Sequence, residues 1–328
     1  MKLVIVLYHR FELWRAPGWL AGRLEKDFPQ LEVVNRGSYE GIDDQIRDAE
    51  IIIGWSLRPQ QLASARNLRW IHSPAAAVHQ LLFPELVDSD VMLTNGRDVN
   101  GPVVAEHVMA LILALAKNLP QAMRFQARHF WAQEDMWNNS PHPREIAGAT
   151  LGLIGVGSIG SKVAKHADAM GMRVVAVREN PYKPKPEGVE TVFPSSELDS
   201  LISQSDYIAL TVPVTPETRT LMNTARFARM KPDACLINVG RGPLVDEAAL
   251  LTALRERKIG GAALDVFEHE PLPADSPLWA LENLLITPHT AGLTEKLWDR
   301  QYGLIAENLR RYLDHRPLLA MVDKQKGY

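Results

Sequence analysis

Short, largely apolar runs recur along the chain: residues 3–7 (LVIVL), 31–34, 51–53, 68–72, 91–94, 151–154 (LGLI), 172–177 (MRVVAV), 207–212, 235–239 (CLINV), 261–266 and 284–287. Each is too short for a helix and lacks in–out alternation. That predicts strands buried on both faces. Between them lie stretches at helical spacing. Residues 19–28 read as a helix stopped by Pro29, and Ile159, Val163, Ala167 and Met170 mark another. Asp246 is placed to cap a helix reaching about residue 258. Thr294 is placed to cap a final amphipathic helix with Leu297, Ile305, Leu309 and Leu313 on one face. The alternation predicts an α/β fold with parallel sheets and helices on both faces.

Two stretches depart from this rhythm. Residues 103–116 are apolar nearly all round, broken by Glu106 and His107, with Asn100 as a cap and Pro102 in the first turn. They predict a buried helix rather than a membrane span. Residues 119–149 hold Phe125, Phe130, Trp131 and Trp137 among charged residues, long for a loop in a compact domain. Exposed aromatics among arginines predict a contact with a second copy of the chain, a dimer arm.

The segment 151–177 carries the first chemistry. A strand runs into Gly155-Val156-Gly157-Ser158-Ile159-Gly160, a helix follows, Gly171 stops it, and a second strand begins. This is the dinucleotide fingerprint in its required setting. Gly155 allows the tight turn, Gly157 a close approach of backbone to pyrophosphate, and Gly160 close helix–strand packing. The N–H groups at Ser158 and Ile159 open the helix toward the phosphates. The acid that grips the adenosine ribose is expected about 20 residues on, but Arg178 stands there. Arg pairs with a 2′-phosphate and cannot accept from a hydroxyl, so Arg178 favours NADP, with Lys183 and Lys185 close by; Glu179 keeps NAD open.

Composition narrows the setting. The chain of 328 residues has room for about two domains and carries a net charge of −3. That charge gives no reason to expect nucleic acid or an anionic membrane as partner. The single Cys235 excludes an internal disulfide and a thiolate metal cluster, and fits a reducing compartment. Met1-Lys2 leads straight into a strand with no cleavable leader, so a cytoplasmic location is expected.

Three polar residues follow predicted strands in the later half: Arg241 in NVGRG, Glu270 in DVFEHEP and His289 in TPHTAG. Strand ends are where ligands of open α/β sheets bind. Hydride transfer to a 2-oxo acid calls for such a set. A guanidinium holds the carboxylate and polarises the carbonyl. An imidazole gives a proton to the alkoxide. A carboxylate fixes the ring and favours its charged form. Singly, each residue reads equally as a phosphate contact, a turn residue before Pro271 or a loop histidine.

The joint pattern resembles the D-isomer-specific 2-hydroxyacid dehydrogenases. The matching stretches are VAEHVMALILAL (104–115), LGLIGVGSIG (151–160), GMRVVAV (171–177), TVPVTPETRTLMN (211–223), LINVGRGPLVDEAAL (236–250), ALDVFEHEPLP (263–273) and ITPHTAG (286–292). The N-terminal third matches only in its strand rhythm and the turn at 73–79 (SPAAAVH). The resemblance implies that Arg241, Glu270 and His289 are catalytic. It puts Asp265 on the nicotinamide carboxamide, and cofactor contacts near Val212, Pro213, Thr218, Val239 and Gly292. It assigns the N–H groups of Ala76 and Ala77, with Arg241, to the substrate carboxylate, although Ala75 and Ala77 stand where relatives commonly have glycine and His79 where they often have an acid.

The resemblance also implies two doubly wound parallel-sheet domains. A Rossmann NAD(P)-binding domain (98–290) is inserted in a discontinuous flavodoxin-like substrate domain (1–97 plus 291–328). A homodimer is expected through the 119–149 arm, with Trp137 or Trp131 reaching the partner's substrate pocket. No segment after Tyr328 forms a regulatory domain, which speaks against a phosphoglycerate dehydrogenase. The expected activity is reduction of a small 2-oxo acid such as glyoxylate or hydroxypyruvate to its 2-hydroxy acid. The alternatives are a formate or phosphite dehydrogenase and a nucleotide-sensing corepressor on the same fold.

Overall fold

The computed structural model describes residues 1–138 and 141–327. The chain divides into two compact units, Met1–Asn100 with Thr294–Tyr328, and Gly101–Leu293.

The first unit is built on five parallel strands: β1 (Lys2–Val6), β2 (Glu32–Arg36), β3 (Ile51–Gly54), β4 (Trp70–Ser73) and β5 (Met92–Asn95). Their spatial order is β2-β1-β3-β4-β5, the flavodoxin-like winding with its switch point between β1 and β3. The unbroken apolar runs are explained by burial on both faces. Leu3, Ile5, Ile51, Ile53 and Trp70 face one core; Val4, Val6, Ile52, Ile71 and Leu93 face another. The terminal helix Leu297–Leu313 covers the first of these with Trp298, Tyr302, Ile305 and Leu309. Each such side chain contributes roughly 1.5–3 kcal/mol when fully buried.

The second unit holds seven parallel strands: β6 (Thr150–Ile154), β7 (Arg173–Val177), β8 (Thr191–Phe193), β9 (Tyr207–Leu210), β10 (Cys235–Asn238), β11 (Gly261–Leu264) and β12 (Leu284–Ile286). Their order, β12-β11-β10-β9-β6-β7-β8, is the Rossmann winding extended by one strand, with its switch point between β6 and β9. Leu151, Leu153, Tyr207, Ala209 and Ile237 face one side; Ile154, Ile208, Leu210 and Leu236 face the other.

Several expectations need correction. The helix Gly101–Ala116 forms, but it is not buried all round, since Glu106 and Ala110 are exposed. Asn100 does not cap it through its side chain; its Oδ1 is buried without a hydrogen-bond partner. Thr294 does not cap the terminal helix either. Its hydroxyl accepts from the Lys296 N–H at 3.3 Å in a local turn, and the helix begins at Leu297. A threonine hydroxyl satisfies nearby backbone just as well in a turn as at a cap. The 119–149 stretch contains the helices Leu119–Ala127 and Gln133–Asn138. Its residues Asn139 and Ser140 lie outside the described residues. Among the described residues no single helix is long and apolar enough to cross a membrane; Gly101–Ala116 and Leu119–Ala127 together are bent by 68°.

Candidate active site

The fingerprint turn follows β6. Gly155 has φ +98°, a conformation that favours glycine. A Cβ on Gly160 would stand 2.2 Å from the Gly155 carbonyl oxygen, so helix Ser158–Ala169 approaches the turn only because Gly160 lacks one. A Cβ on Gly157 would meet nothing within 4 Å, leaving the turn open above it. Among the described residues the N–H groups of Gly157, Ser158 and Ile159 have no acceptor, and the Ser158 Oγ is buried without a partner. Unpaired donors at the positive end of a helix suit an anion. These residues therefore fit a dinucleotide pyrophosphate. Val212 packs beside Gly155, and the Thr211 Oγ1 donates to the Gly155 carbonyl at 2.8 Å. Thr218 is occupied within its own turn, donating to the Pro213 carbonyl at 2.8 Å. Val239 is buried at the end of β10.

Arg178 stands at the end of β7, half-buried. Its guanidinium donates to the carbonyls of Pro184 at 3.2 Å, Pro181 at 3.3 Å and Lys183, and so clasps the turn that follows the strand. Lys185 donates to the Glu190 carbonyl at 3.1 Å. Glu179 is exposed.

The three catalytic candidates all belong to the second unit. His289 follows β12 in a left-handed conformation, φ +54°, held by its N–H on the Asp265 carbonyl at 2.9 Å. Its Nδ1 lies 2.6 Å from Glu270 Oε2. The other carboxylate oxygen, Oε1, accepts from the Phe267 N–H at 3.0 Å. Glu270 is thus anchored by backbone and in turn orients the ring, leaving Nε2 as the exchangeable face. Arg241 follows β10. Its NH1 donates to the Gly240 carbonyl at 2.7 Å. Burial pulls its pKa below the ordinary arginine value while the Glu270 charge acts against that; a guanidinium stays protonated throughout. Asn238, fully buried, donates to the Arg241 carbonyl at 2.9 Å and accepts from the Gly240 N–H at 3.1 Å. It fixes the backbone from which Arg241 projects.

Asp265 is 1 % exposed and more heavily engaged than the sequence suggested. It accepts from the Thr287 hydroxyl at 2.6 Å, the Thr290 N–H at 2.8 Å and the Ala291 N–H at 3.0 Å. That clamps the segment carrying His289 and leading into Gly292 to the end of β11. His107, from the apolar helix, completes this group: its Nε2 is 3.2 Å from Thr287 Oγ1 and 3.7 Å from Asp265 Oδ1. Burial lowers the His107 pKa, opposed by the Asp265 charge. His107, Asn238, Thr287 and Thr290 were missed in the sequence. The one available signal was a histidine inside an otherwise apolar helix.

In the first unit, the loop after β4 carries Ala76 and Ala77. Its carbonyls turn inward: Pro74 accepts from the Gln301 side chain at 2.7 Å, Ala75 from the Gly96 N–H at 3.0 Å and Ala76 from the Asn95 side chain at 2.7 Å. The N–H groups of Ala76, Ala77 and Val78 have no acceptor among the described residues.

Comparison with known proteins follows the same lines. Residues 109–291 match the family model for the D-isomer specific 2-hydroxyacid dehydrogenase NAD binding domain. The chain is similar to a D-3-phosphoglycerate dehydrogenase of Methanocaldococcus jannaschii, 34 % identical over 89 % of this chain and 55 % of that one; it thus spans about half the length of that relative. It is also similar to a glyoxylate reductase of Korarchaeum cryptofilum, 33 % identical over 82 % of this chain and 81 % of the other. Among solved structures, an NADPH-dependent glyoxylate/hydroxypyruvate reductase from Sinorhizobium meliloti, in complex with NADP and sulfate, superposes with a TM-score of 0.82 at 28 % identity, covering 100 % of both chains.

Proposed function

Because the chain belongs to the D-isomer-specific 2-hydroxyacid dehydrogenase family, we propose that it reduces a small 2-oxo acid, glyoxylate or hydroxypyruvate first, to the D-2-hydroxy acid, with NADPH preferred over NADH. The observation that carries this reading is the 2.6 Å contact of His289 Nδ1 with Glu270 Oε2, which leaves Nε2 to hold a transferable proton.

The amides of Gly157, Ser158 and Ile159 would hold the pyrophosphate of a nicotinamide dinucleotide, which would supply the hydride for C2 of the oxo acid. Arg241 pairs with the carboxylate and draws electron density toward the carbonyl oxygen, and the Ala76 and Ala77 amides give a carboxylate two further donors. His289 begins as an imidazolium, with Nδ1–H on Glu270. Its Nε2 proton passes to the alkoxide oxygen, and the ring ends neutral with Nδ1–H still held. Asp265 and Asn238 keep the two catalytic segments in place.

The NADPH preference rests on Arg178 at the ribose position and on the absence of an acid in its place. Binding a 2′-phosphate there requires its guanidinium to exchange carbonyl partners for phosphate oxygens. A homodimer belongs to this reading. Met123, Trp131 and Trp137, on or beside the two arm helices, are 66 %, 87 % and 65 % exposed, a surface that suits a second copy. Light scattering is expected to give twice the 36.7 kDa chain mass; a monomer would rule the dimer out. The buried free Cys235 suits a reducing compartment such as the cytoplasm.

The testing experiment follows oxidation of NADPH and NADH side by side with glyoxylate, hydroxypyruvate, pyruvate and phenylpyruvate. Turnover of at least one acid is expected, with kcat/KM at least about tenfold higher for NADPH, in line with a charge-assisted phosphate contact. A preference for NADH would overturn the Arg178 argument. Tight cofactor binding without turnover would favour a nucleotide-sensing role.

A further inference from the structure

The terminal helix Leu297–Leu313 buries an apolar stripe, yet Gln301 sits within it at 2 % exposure. A buried amide in an apolar face costs stability unless it is fully bonded. Gln301 Nε2 reaches the Pro74 carbonyl at 2.7 Å. On its other side it faces His72, which is fully buried at the end of β4. His72 Nδ1 lies 2.8 Å from Thr94 Oγ1, and that hydroxyl also accepts from the Trp70 indole at 2.8 Å. Among the described residues His72 Nε2 and Gln301 Oε1 are both buried without a hydrogen-bond partner, and burial pushes the His72 pKa down to about 4 against the opposing effect of the neighbouring amide. His72 is therefore neutral at neutral pH, and the Gln301 amide is oriented by its nitrogen on the Pro74 carbonyl.

Gly96 closes the same junction. A Cβ there would stand 2.2 Å from the Pro74 carbonyl oxygen and 2.9 Å from Gln301 Nε2. The Pro74, Ala75 and Ala76 carbonyls are thus drawn inward, by Gln301, the Gly96 N–H and Asn95, and the following N–H groups are left without acceptors.

We propose that Gln301 is a positioning residue: it holds the Pro74 carbonyl so that the Ala76 and Ala77 amides converge on a substrate carboxylate. This rests on the reading above in which that loop binds the oxo acid. Gln301 touches no substrate; it acts through the loop backbone.

The test uses Gln301→Met, which keeps volume and helix propensity but removes the donor, and Gly96→Ala, which displaces the same carbonyl sterically. With the full-length chain and NADPH, each variant is expected to raise the oxo-acid KM at least about tenfold. Expected kcat stays within about threefold and NADPH affinity within about twofold, the pattern of lost uniform binding. Gln301→Met is expected to lower Tm modestly, because the Pro74 carbonyl loses its buried donor. The double variant should be little worse than the worse single, because both act through Pro74.

A second readout is independent of turnover. Oxalate, titrated into the wild-type holoenzyme, should shift the amide resonances of Ala76 and Ala77, and Gln301→Met should abolish those shifts. If no oxo acid turns over but the oxalate shifts appear and vanish as described, the substrate reading fails and the positioning role stands. A wild-type KM in Gln301→Met, a lowered Tm with KM unchanged, or oxalate leaving both amides unmoved would overturn the inference. If Gln301→Met does not fold, Gly96→Ala decides by the same readouts.

Discussion

His289→Ala is expected to lower kcat for oxo-acid reduction by about 10³-fold, within the span of roughly 10²–10⁴ that a positioned acid contributes. NADPH affinity should stay within about twofold. The ring is the proton donor in this reading, and its Nδ1 is committed to Glu270 at 2.6 Å. The backbone at residue 289 is held independently of the ring, through its N–H on the Asp265 carbonyl at 2.9 Å, so removing the imidazole should leave the segment in place. Glu270→Gln should give a smaller loss, because an amide oxygen can still accept from Nδ1–H and keep the ring in place. Stopped-flow rates with parallel cofactor titrations check this. An unchanged kcat in His289→Ala, or an equal loss of cofactor affinity, would make His289 a structural residue.

Arg241→Lys is expected to cost about 10²–10³-fold in kcat/KM, the loss typical of one misplaced donor at a developing oxyanion. Lysine keeps the charge but loses the planar fork that engages a carboxylate and a carbonyl together. One nitrogen of that fork is already fixed by the Gly240 carbonyl at 2.7 Å, and Asn238 holds the backbone on either side. An ammonium on a flexible stem inherits none of this. Tm should change little, since among the described residues Arg241 makes no ion pair. Steady-state kinetics with glyoxylate or hydroxypyruvate measures the effect; a Lys variant within about threefold of wild type would show that charge alone suffices.

What the sequence revealed follows from how local each constraint is. The fingerprint was legible because its demands sit on neighbouring residues: the left-handed Gly155 and the contact that only Gly160 permits. The strands were legible because strands buried on both faces leave unbroken apolar runs, as in residues 3–6 with alternate side chains in opposite cores. Arg241, Glu270 and His289 were picked out by their strand-end positions and the family resemblance, and the structure pairs two of them directly.

What stayed hidden depends on partners distant in sequence or on competition between equivalent local bonds. Nothing near His107 announces Thr287 or Asp265, which the sheet brings to it. Gln301 reads as one polar position in an amphipathic helix until Pro74 is found on its amide. Thr294 carried a capping signal, but its hydroxyl is used one turn earlier. Arg178 carried a charge signal, yet side chain to carbonyl bonds with its own turn leave no pattern in the sequence.

The most direct test of the central claim is the identity and handedness of the product. Purified chain, NADPH and hydroxypyruvate or pyruvate are incubated, and the acids formed are separated on a chiral phase. The account predicts NADPH consumption matched by a single 2-hydroxy acid of D configuration. Formation of the L acid, or no acid from any 2-oxo substrate while NADPH remains tightly bound, would contradict it.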